Sequence, residues 1–269
     1  MDLSEFFQRL WDQYTAVTPQ ARRIHDAVKA RNGQVVNDHV AFRTFRHSPL
    51  DIAHLEPVLA RMGYSPFDSY HFTQKKLEAI AYRHPDPLQP KIFLSELLLD
   101  RLSETARAII LRYLEKQPLP VPNDPSFFWQ GTLWPSVTHA EYQQLLQESE
   151  YAAWLMVMGY RANHFTISVN HLTRTPSLDA VLEIVQELGL PMNESGGLIK
   201  GSATVGLQQA STLADEMEYR FADGDVHRVK TCYYEFALRY PLSDGALYQG
   251  FVEQSADRIF ESTFHQRTG

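Results

Sequence analysis

One layout, used twice, constrains this chain more than any other feature. Asn37-Asp38-His39-Val40-Ala41-Phe42-Arg43-Thr44-Phe45 and Asn163-His164-Phe165-Thr166-Ile167-Ser168-Val169-Asn170 both alternate with period two. Both are rich in β-branched and aromatic residues, as strands are. After each strand comes a helix start built on Ser48-Pro49 or Thr175-Pro176, its proline 10 or 12 residues past the histidine. Proline at the first helical position is a common opening. The first helix carries Ile52, Leu55, Leu59 and Met62 and stops at Gly63; the second carries Leu178, Val181, Leu182, Val185 and Leu188 and stops at Gly189. Strands follow in each tract: 70–72, 78–83 and 91–98 in the first, then 198–208, 216–221 and 230–239 in the second, where Asp223-Gly224-Asp225 makes a hairpin turn. A βαβββ unit cannot cover both faces of its own sheet, so two of them pair into a curved sheet around a cavity. The expected fold is α+β, a single domain over residues 1–269 with duplicated βαβββ units at 36–98 and 163–240.

Extra helices are expected outside the two units. Leu3, Phe6, Phe7, Leu10, Trp11 and Tyr14 recur at helical spacing, and a second helix runs from Pro19 to Gly33. Central helices are expected over 103–115 and from the capping box at Thr138-His139-Ala140-Glu141 to about Met158. Between them, 117–136 is rich in Pro, Phe and Trp, which disordered chain is not, so it reads as an ordered connection. Near the end, Phe251, Ile259 and Phe260 are packing handles ahead of a polar tail from His265.

Composition narrows the function. The 269 residues are 44% hydrophobic and 21% charged, as in a soluble globular protein, and the formal net charge is −7. With no basic run to offset that charge, neither nucleic acid nor an anionic membrane is an expected partner. The apolar stretch 152–158 is far too short to span a bilayer. The start, Met-Asp-Leu-Ser-Glu, is acidic and unlike a signal peptide, and Cys232 is the single cysteine. A cytoplasmic protein in a reducing compartment is expected, and a homo-oligomer is compatible with the sequence.

Alternation puts His39, Ala41 and Arg43 on one strand face, and His164, Thr166, Ser168 and Asn170 on one face of the second strand. The last strand of each unit contains an acid, Glu96 or Glu235, so His39, Glu96, His164 and Glu235 are expected to converge on the cavity. Two imidazoles and one carboxylate hold a divalent metal with positions left open, which suits non-haem Fe(II), or Mn(II), better than a closed zinc site. Most of the other histidines, among them His25, His47, His54 and His84, read as surface or packing residues, and His171 faces away from His164. Arg43 can pair bidentately with a substrate carboxylate; its plain alternative is a salt bridge to Glu96 or Asp38. Further pocket candidates are Lys200, Ser202, Gln208, Gln209, Ser211, Arg228 and Tyr233. Ser168 stands where the first unit has Arg43, so a substrate carboxylate is expected toward the first unit. No phosphate loop, serine-hydrolase elbow or His-Glu-x-x-His motif is present.

The tracts 37–44, 163–166, Lys200-Gly201-Ser202 with 207–211, and Tyr233-Tyr234-Glu235-Phe236-Ala237 resemble the 2-oxoadipate dioxygenase/decarboxylase family, formerly a domain of unknown function. That family is related in fold to the vicinal-oxygen-chelate metalloenzymes, and the resemblance covers most of the chain. It implies Fe(II) held by His39, His164 and Glu235, with Zn, Ni or Mn as substitutes, and a substrate carboxylate held by Arg43. It also implies conversion of 2-oxoadipate and O2 into 2-hydroxyglutarate and CO2, a step of lysine degradation. Two alternatives stand beside this reading. A vicinal-oxygen-chelate isomerase or lyase acting on a small acid would use all four of His39, Glu96, His164 and Glu235. A non-catalytic small-molecule binding module would have kept the cavity and lost the metal.

Overall fold

A computed structural model describes residues 2–263; the tail from His265 lies outside the described residues. Helices α1 (Leu3–Val17) and α2 (Pro19–Asn32) precede the first unit. That unit comprises β1 (Asn37–Phe45), α3 (Ile52–Arg61), β2 (Ser65–Phe72), β3 (Leu77–Arg83) and β4 (Lys91–Leu97). Helices α4 (Glu104–Leu114), α5 (His139–Glu148) and α6 (Glu150–Met158) lead to the second unit. Its elements are β5 (Ala162–Ser168), α7 (Leu178–Glu187), β6 (Lys200–Ser202), β7 (Leu207–Ser211), β8 (Glu216–Arg220), β9 (Val226–Lys230) and β10 (Tyr233–Arg239), followed by α8 (Glu253–Phe260).

Eight strands form one curled sheet in the order β2-β3-β4-β1-β5-β10-β7-β6. Read from its centre, each half runs first strand, last strand, third strand, second strand, so the halves share one βαβββ plan related by a twofold axis. The central pair β1–β5 is antiparallel, whereas β1–β4 and β5–β10 are parallel. The second unit departs from the first by one insertion, the separate β8–β9 ribbon between β7 and β10. The strand expected over 230–239 is therefore two strands, divided at Thr231-Cys232 and lying in different sheets. The strand expected over 198–208 is likewise a β6–β7 hairpin, turned at Gly206 with φ +82°.

Helix boundaries also moved. Asp51 and Ser177 cap α3 and α7, each accepting from the amide of the third helical residue, rather than Ser48 and Thr175. Thr175 instead receives the Asn32 side-chain amide at 2.9 Å. The helix expected from Thr138 to Met158 breaks at Ser149, whose backbone is extended and whose side chain accepts from the Ala152 amide. A hydroxyl there serves a new N-terminus better than a helix interior.

Strand alternation sorts the two faces of the sheet. Phe165 and Tyr234 point to the outer face, where Trp11 and Tyr14 of α1 meet Phe165 at ring-centroid distances of 5.2 and 5.0 Å. Phe42 packs there against Phe128, at 4.8 Å, from the ordered aromatic connection. The inner face is roofed by α8, which touches β2 at one edge of the sheet and β6 and β7 at the other. One helix reaching both edges requires the sheet to be curled. At the β2 edge, the His71 amide donates to Glu253 Oε1 at 3.0 Å, which occupies an edge donor that would otherwise be unpaired. Phe165→Ala is expected to cost about 3–5 kcal/mol, as for a large aromatic removed from a core. A urea midpoint measures this, and metal binding should survive, because the deleted ring lies on the face away from the histidines.

Candidate metal centre

Register fixes what the inner face presents. Lys91, His39, Thr166, Glu235 and Ser211 form one row across β4, β1, β5, β10 and β7. Phe93, Ala41, His164 and Tyr233 form the next row. His39, His164 and Glu235 are buried, and each offers a ligand atom lying within 4.8 Å of the other two. The imidazole centroids are 5.5 Å apart. His164 Nε2 lies 3.2 Å from Glu235 Oε2, and His39 Nε2 lies 3.6 Å from Glu235 Oε1.

Each imidazole is aimed by the residue before it. Asp38 Oδ1 is 2.8 Å from His39 Nδ1, and Asn163 Oδ1 is 3.1 Å from His164 Nδ1. Neighbours on a regular strand point to opposite faces, and these pairs meet where the β1–β5 ladder shifts register, between Asn37 and His39 and between Ala41 and Phe42. With Nδ1–H donated to an oxygen, the Nε2 lone pair of each ring faces the centre. Asp38 is itself gripped by Arg239 at 2.6 and 2.8 Å. Burial alone would raise the Asp38 carboxyl, but the Arg239 charge outweighs it and holds that carboxyl well below the usual range. Gln209 Nε2 donates to Glu235 Oε1 at 2.6 Å, while Oε2 accepts no hydrogen bond among the described residues and faces only His164 Nε2.

This donor set fits a divalent cation. Burial, followed by the charges of His39 and Arg43, holds His164 well below its ordinary value, so its ring is neutral. A neutral imidazole lone pair then faces the unpartnered carboxylate oxygen of Glu235, and a metal ion satisfies both atoms. A second cluster, His139, Asp225 and His227, also brings ligand atoms within 4.8 Å, but it is largely exposed. Its imidazoles stack at 3.6 Å beside Phe221, and that packing accounts for them.

Glu96 does not join the triad. It lies in register with Thr44, on the outer face, where it binds Arg46 Nε at 2.7 Å and accepts the Ile52 amide at 3.0 Å. The counterpart of Glu235 under the twofold is Phe93: Glu235 pairs with Thr166, two residues past His164, and Phe93 pairs with Ala41, two past His39. Equating Glu96 with Glu235 errs by three positions, an odd number, which reverses the face. The inner face therefore offers three converging protein ligands, and an aromatic ring holds the fourth symmetric place.

The other candidates divide. Tyr233 stacks on His164 with centroids 4.5 Å apart, and burial pushes its hydroxyl well above the ordinary range, so it stays an O–H donor. Lys200 shares the inner face, but its ammonium is taken by the Asn193 and Leu198 carbonyls at 2.5 and 3.5 Å. Burial lowers it to about 8. Ser211 lies opposite Glu235 and meets Ser262 at 2.8 Å. Three candidates lie elsewhere. Gln208 points to the outer face and accepts from Tyr240 at 2.5 Å; its neighbour Gln209 is the residue at the centre. Ser202 sits at the end of β6 opposite Leu207, away from the triad. Arg228 is exposed on the β8–β9 ribbon, paired with Glu216 at 2.8 Å.

Arg43 is buried against Tyr151 and Trp154 of α6, with its guanidinium carbon 4.9 Å from each ring centroid. Nη2 donates to Thr263 Oγ1 at 3.3 Å, whereas Nε and Nη1 have no partner among the described residues. Neither Glu96 nor Asp38 pairs with it. Beside Arg43 lies a cavity of about 280 Å³, and around the triad one of about 20 Å³, room for little more than a water. Phe260 lines both.

With this geometry in view, the comparison with known proteins is specific. The profile of the 2-oxoadipate dioxygenase/decarboxylase family matches residues 5–119 and 126–246. The chain belongs to that family. A chloroplastic 2-oxoadipate dioxygenase/decarboxylase of Arabidopsis thaliana is 35% identical over 295 residues, spanning 97% of this chain and 78% of that protein. Among solved structures, the hydroxyglutarate synthase of Oryza sativa in complex with 2-oxoadipate superposes with a TM-score of 0.87 at 32% identity, covering 98% of this chain and 94% of the other. A presumed hydrolase from Shewanella frigidimarina also superposes with a TM-score of 0.87, at 40% identity, covering 94% of this chain and 98% of the other.

Several residues of this family member's centre carried no usable signal in the sequence. Phe93 and Thr166 are ordinary strand residues there, and Tyr151, Trp154 and Thr263 come from distant elements. Gln209 carried a faint one, as one residue of a polar pair whose face was undecided. Because it orients the carboxylate, Gln209→Leu is expected to weaken metal affinity about 10- to 100-fold. Glu96→Gln should leave that affinity unchanged. Competition with a chelating dye measures both; equal losses in the two variants would contradict the assignment of faces.

Proposed function

We propose that this protein is a non-haem Fe(II) enzyme that converts 2-oxoadipate and O2 into 2-hydroxyglutarate and CO2. The observation that carries the reading is the buried His39–His164–Glu235 triad with an unpartnered carboxylate oxygen, set near a buried guanidinium with two free donor groups. Its membership in the 2-oxoadipate dioxygenase/decarboxylase family and its similarity to a hydroxyglutarate synthase that binds 2-oxoadipate support the substrate class.

His39, His164 and Glu235 would hold the metal, which when bound supplies a site for the 2-oxo acid and the redox chemistry of O2. The chain's own residues do the rest. Asp38 and Asn163 keep both imidazole lone pairs on the centre, and Gln209 leaves Glu235 Oε2 as the free donor. Arg43 pairs with a substrate carboxylate and fixes the direction in which the carbon chain runs, toward the first unit, as expected from Ser168 at the matching place in the second. Ser168 is occupied with His171 Nδ1 at 2.8 Å. Phe93, Phe251, Ile259 and Phe260 wall the centre from water.

The isomerase alternative calls for four converging ligands, and the outward Glu96 argues against it. The binding-module alternative calls for imidazoles more than about 6 Å apart and bonded separately, and their 5.5 Å centroid distance around a shared carboxylate argues against that. We place the step in lysine degradation in the cytoplasm.

Iron-loaded protein should consume O2 with 2-oxoadipate and release CO2 in equal amount. Arg43→Met should raise KM for 2-oxoadipate 30-fold or more, on the order of the 2 kcal/mol that a charge-assisted pair contributes. An oxygen electrode with a panel of 2-oxo acids reads both. Absence of uptake with 2-oxoadipate would sink the named activity.

A further inference from the structure

Arg43 has a neighbour whose donor is equally unused. Tyr233 opens β10 in register with His164 and stacks on that imidazole at an interplanar angle of 25°. It lines the cavity around the triad, and its buried hydroxyl has no acceptor among the described residues. Arg43 is the charge that bears most strongly on that hydroxyl. Two buried donor groups thus sit side by side: the guanidinium is close enough to the phenol oxygen to donate to it, while the phenol O–H and the remaining guanidinium N–H bonds have no acceptor among the described residues.

Packing alone explains the ring but not the oxygen. A phenylalanine would stack on His164 equally well and bury no unsatisfied hydroxyl, which costs about 1–3 kcal/mol when left unpaired. The twofold does not call for a tyrosine either, since the matching position beside His39 is Lys91. A hydroxyl retained at such cost, next to an incompletely bonded guanidinium, needs an acceptor from outside the chain, and a carboxylate offers enough lone pairs for both groups.

We propose that Tyr233 and Arg43 together hold one substrate carboxylate, the guanidinium through its free N–H groups and the phenol as a further donor. Tyr233 is then a substrate-contacting residue that selects dicarboxylic 2-oxo acids over monocarboxylic ones of the same length. This inference rests on the reading of Arg43 as the carboxylate grip. A site built to hydrogen-bond a substrate group discriminates strongly against the analogue that lacks it, because its own donors are then left unpaired.

The test compares 2-oxoadipate with 2-oxohexanoate, which ends in a methyl group, by titration calorimetry on Mn(II)-loaded protein without O2. Wild-type protein should prefer 2-oxoadipate. Tyr233→Phe should weaken 2-oxoadipate about tenfold, leave 2-oxohexanoate and Mn(II) content unchanged, and raise rather than lower the thermal midpoint of the substrate-free protein, because the ring stack is kept and the unpaired hydroxyl is gone. The proposal is overturned if the wild-type preference persists in Tyr233→Phe, or if both acids weaken together. A wild-type protein with no preference between the two acids would overturn the Arg43 reading and this one with it, a failure visible without any variant. Should Tyr233→Phe fold poorly, 3-fluorotyrosine at position 233 keeps the stack and strengthens the donor, and it must tighten 2-oxoadipate selectively.

Discussion

Everything at the centre of this protein depends on the antiparallel register of β1 against β5. It sets His39 opposite Thr166 and Ala41 opposite His164, so two imidazoles from tracts 125 positions apart in the sequence emerge on one face of one sheet. A slip of one residue would send either histidine to the helix side, among Phe165, Tyr234 and α1. The outer-face packing of α1 and the aromatic connection therefore does more than stabilise the fold. It specifies which side chains reach the inner face.

The duplication supplies the frame, and departures from it supply the chemistry. Symmetry alone would give two histidines with matching neighbours, yet each pair of twofold positions has diverged: Glu235 against Phe93, Tyr233 against Lys91, Arg43 against Ser168. The outcome is one carboxylate at the centre instead of two, and a buried guanidinium on one side only. On the proposed reading, a metal held by these three side chains would keep positions open for a bidentate acid and a small gas. The roof formed by α8 joins the two edges of the sheet and brings Phe251, Ile259 and Phe260 over those positions.

Much of this was legible in the sequence because it depends on period and spacing. The two strands, the helices that follow them and the pairing of His39 with His164 come from alternation and repetition, and the family resemblance selected Glu235. What was misread depends on long-range pairing. Glu96 was matched to Glu235 by its place in the last strand, but only the β1–β4 register shows that Thr44, not Ala41, is its partner. Gln208 and Gln209 were both candidates and could not be told apart for the same reason: in Leu207–Ser211 the face is set by β10 and not by the segment itself. Arg228 falls between the strands expected over 216–221 and 230–239, and nothing local shows that it lies on a ribbon outside the main sheet. The aromatic bed of Arg43, built from Tyr151, Trp154 and Phe260, is assembled from helices distant in sequence and has no motif at all.

The most direct test is X-ray absorption at the iron edge of anaerobically loaded protein, before and after addition of 2-oxoadipate. Two imidazoles with the rest light oxygen donors, and two of those oxygens exchanged for substrate while both imidazoles stay, is the predicted result. A coordination sphere with fewer than two imidazoles, or one unchanged by the acid, would contradict a metal held by His39, His164 and Glu235 with positions open for substrate.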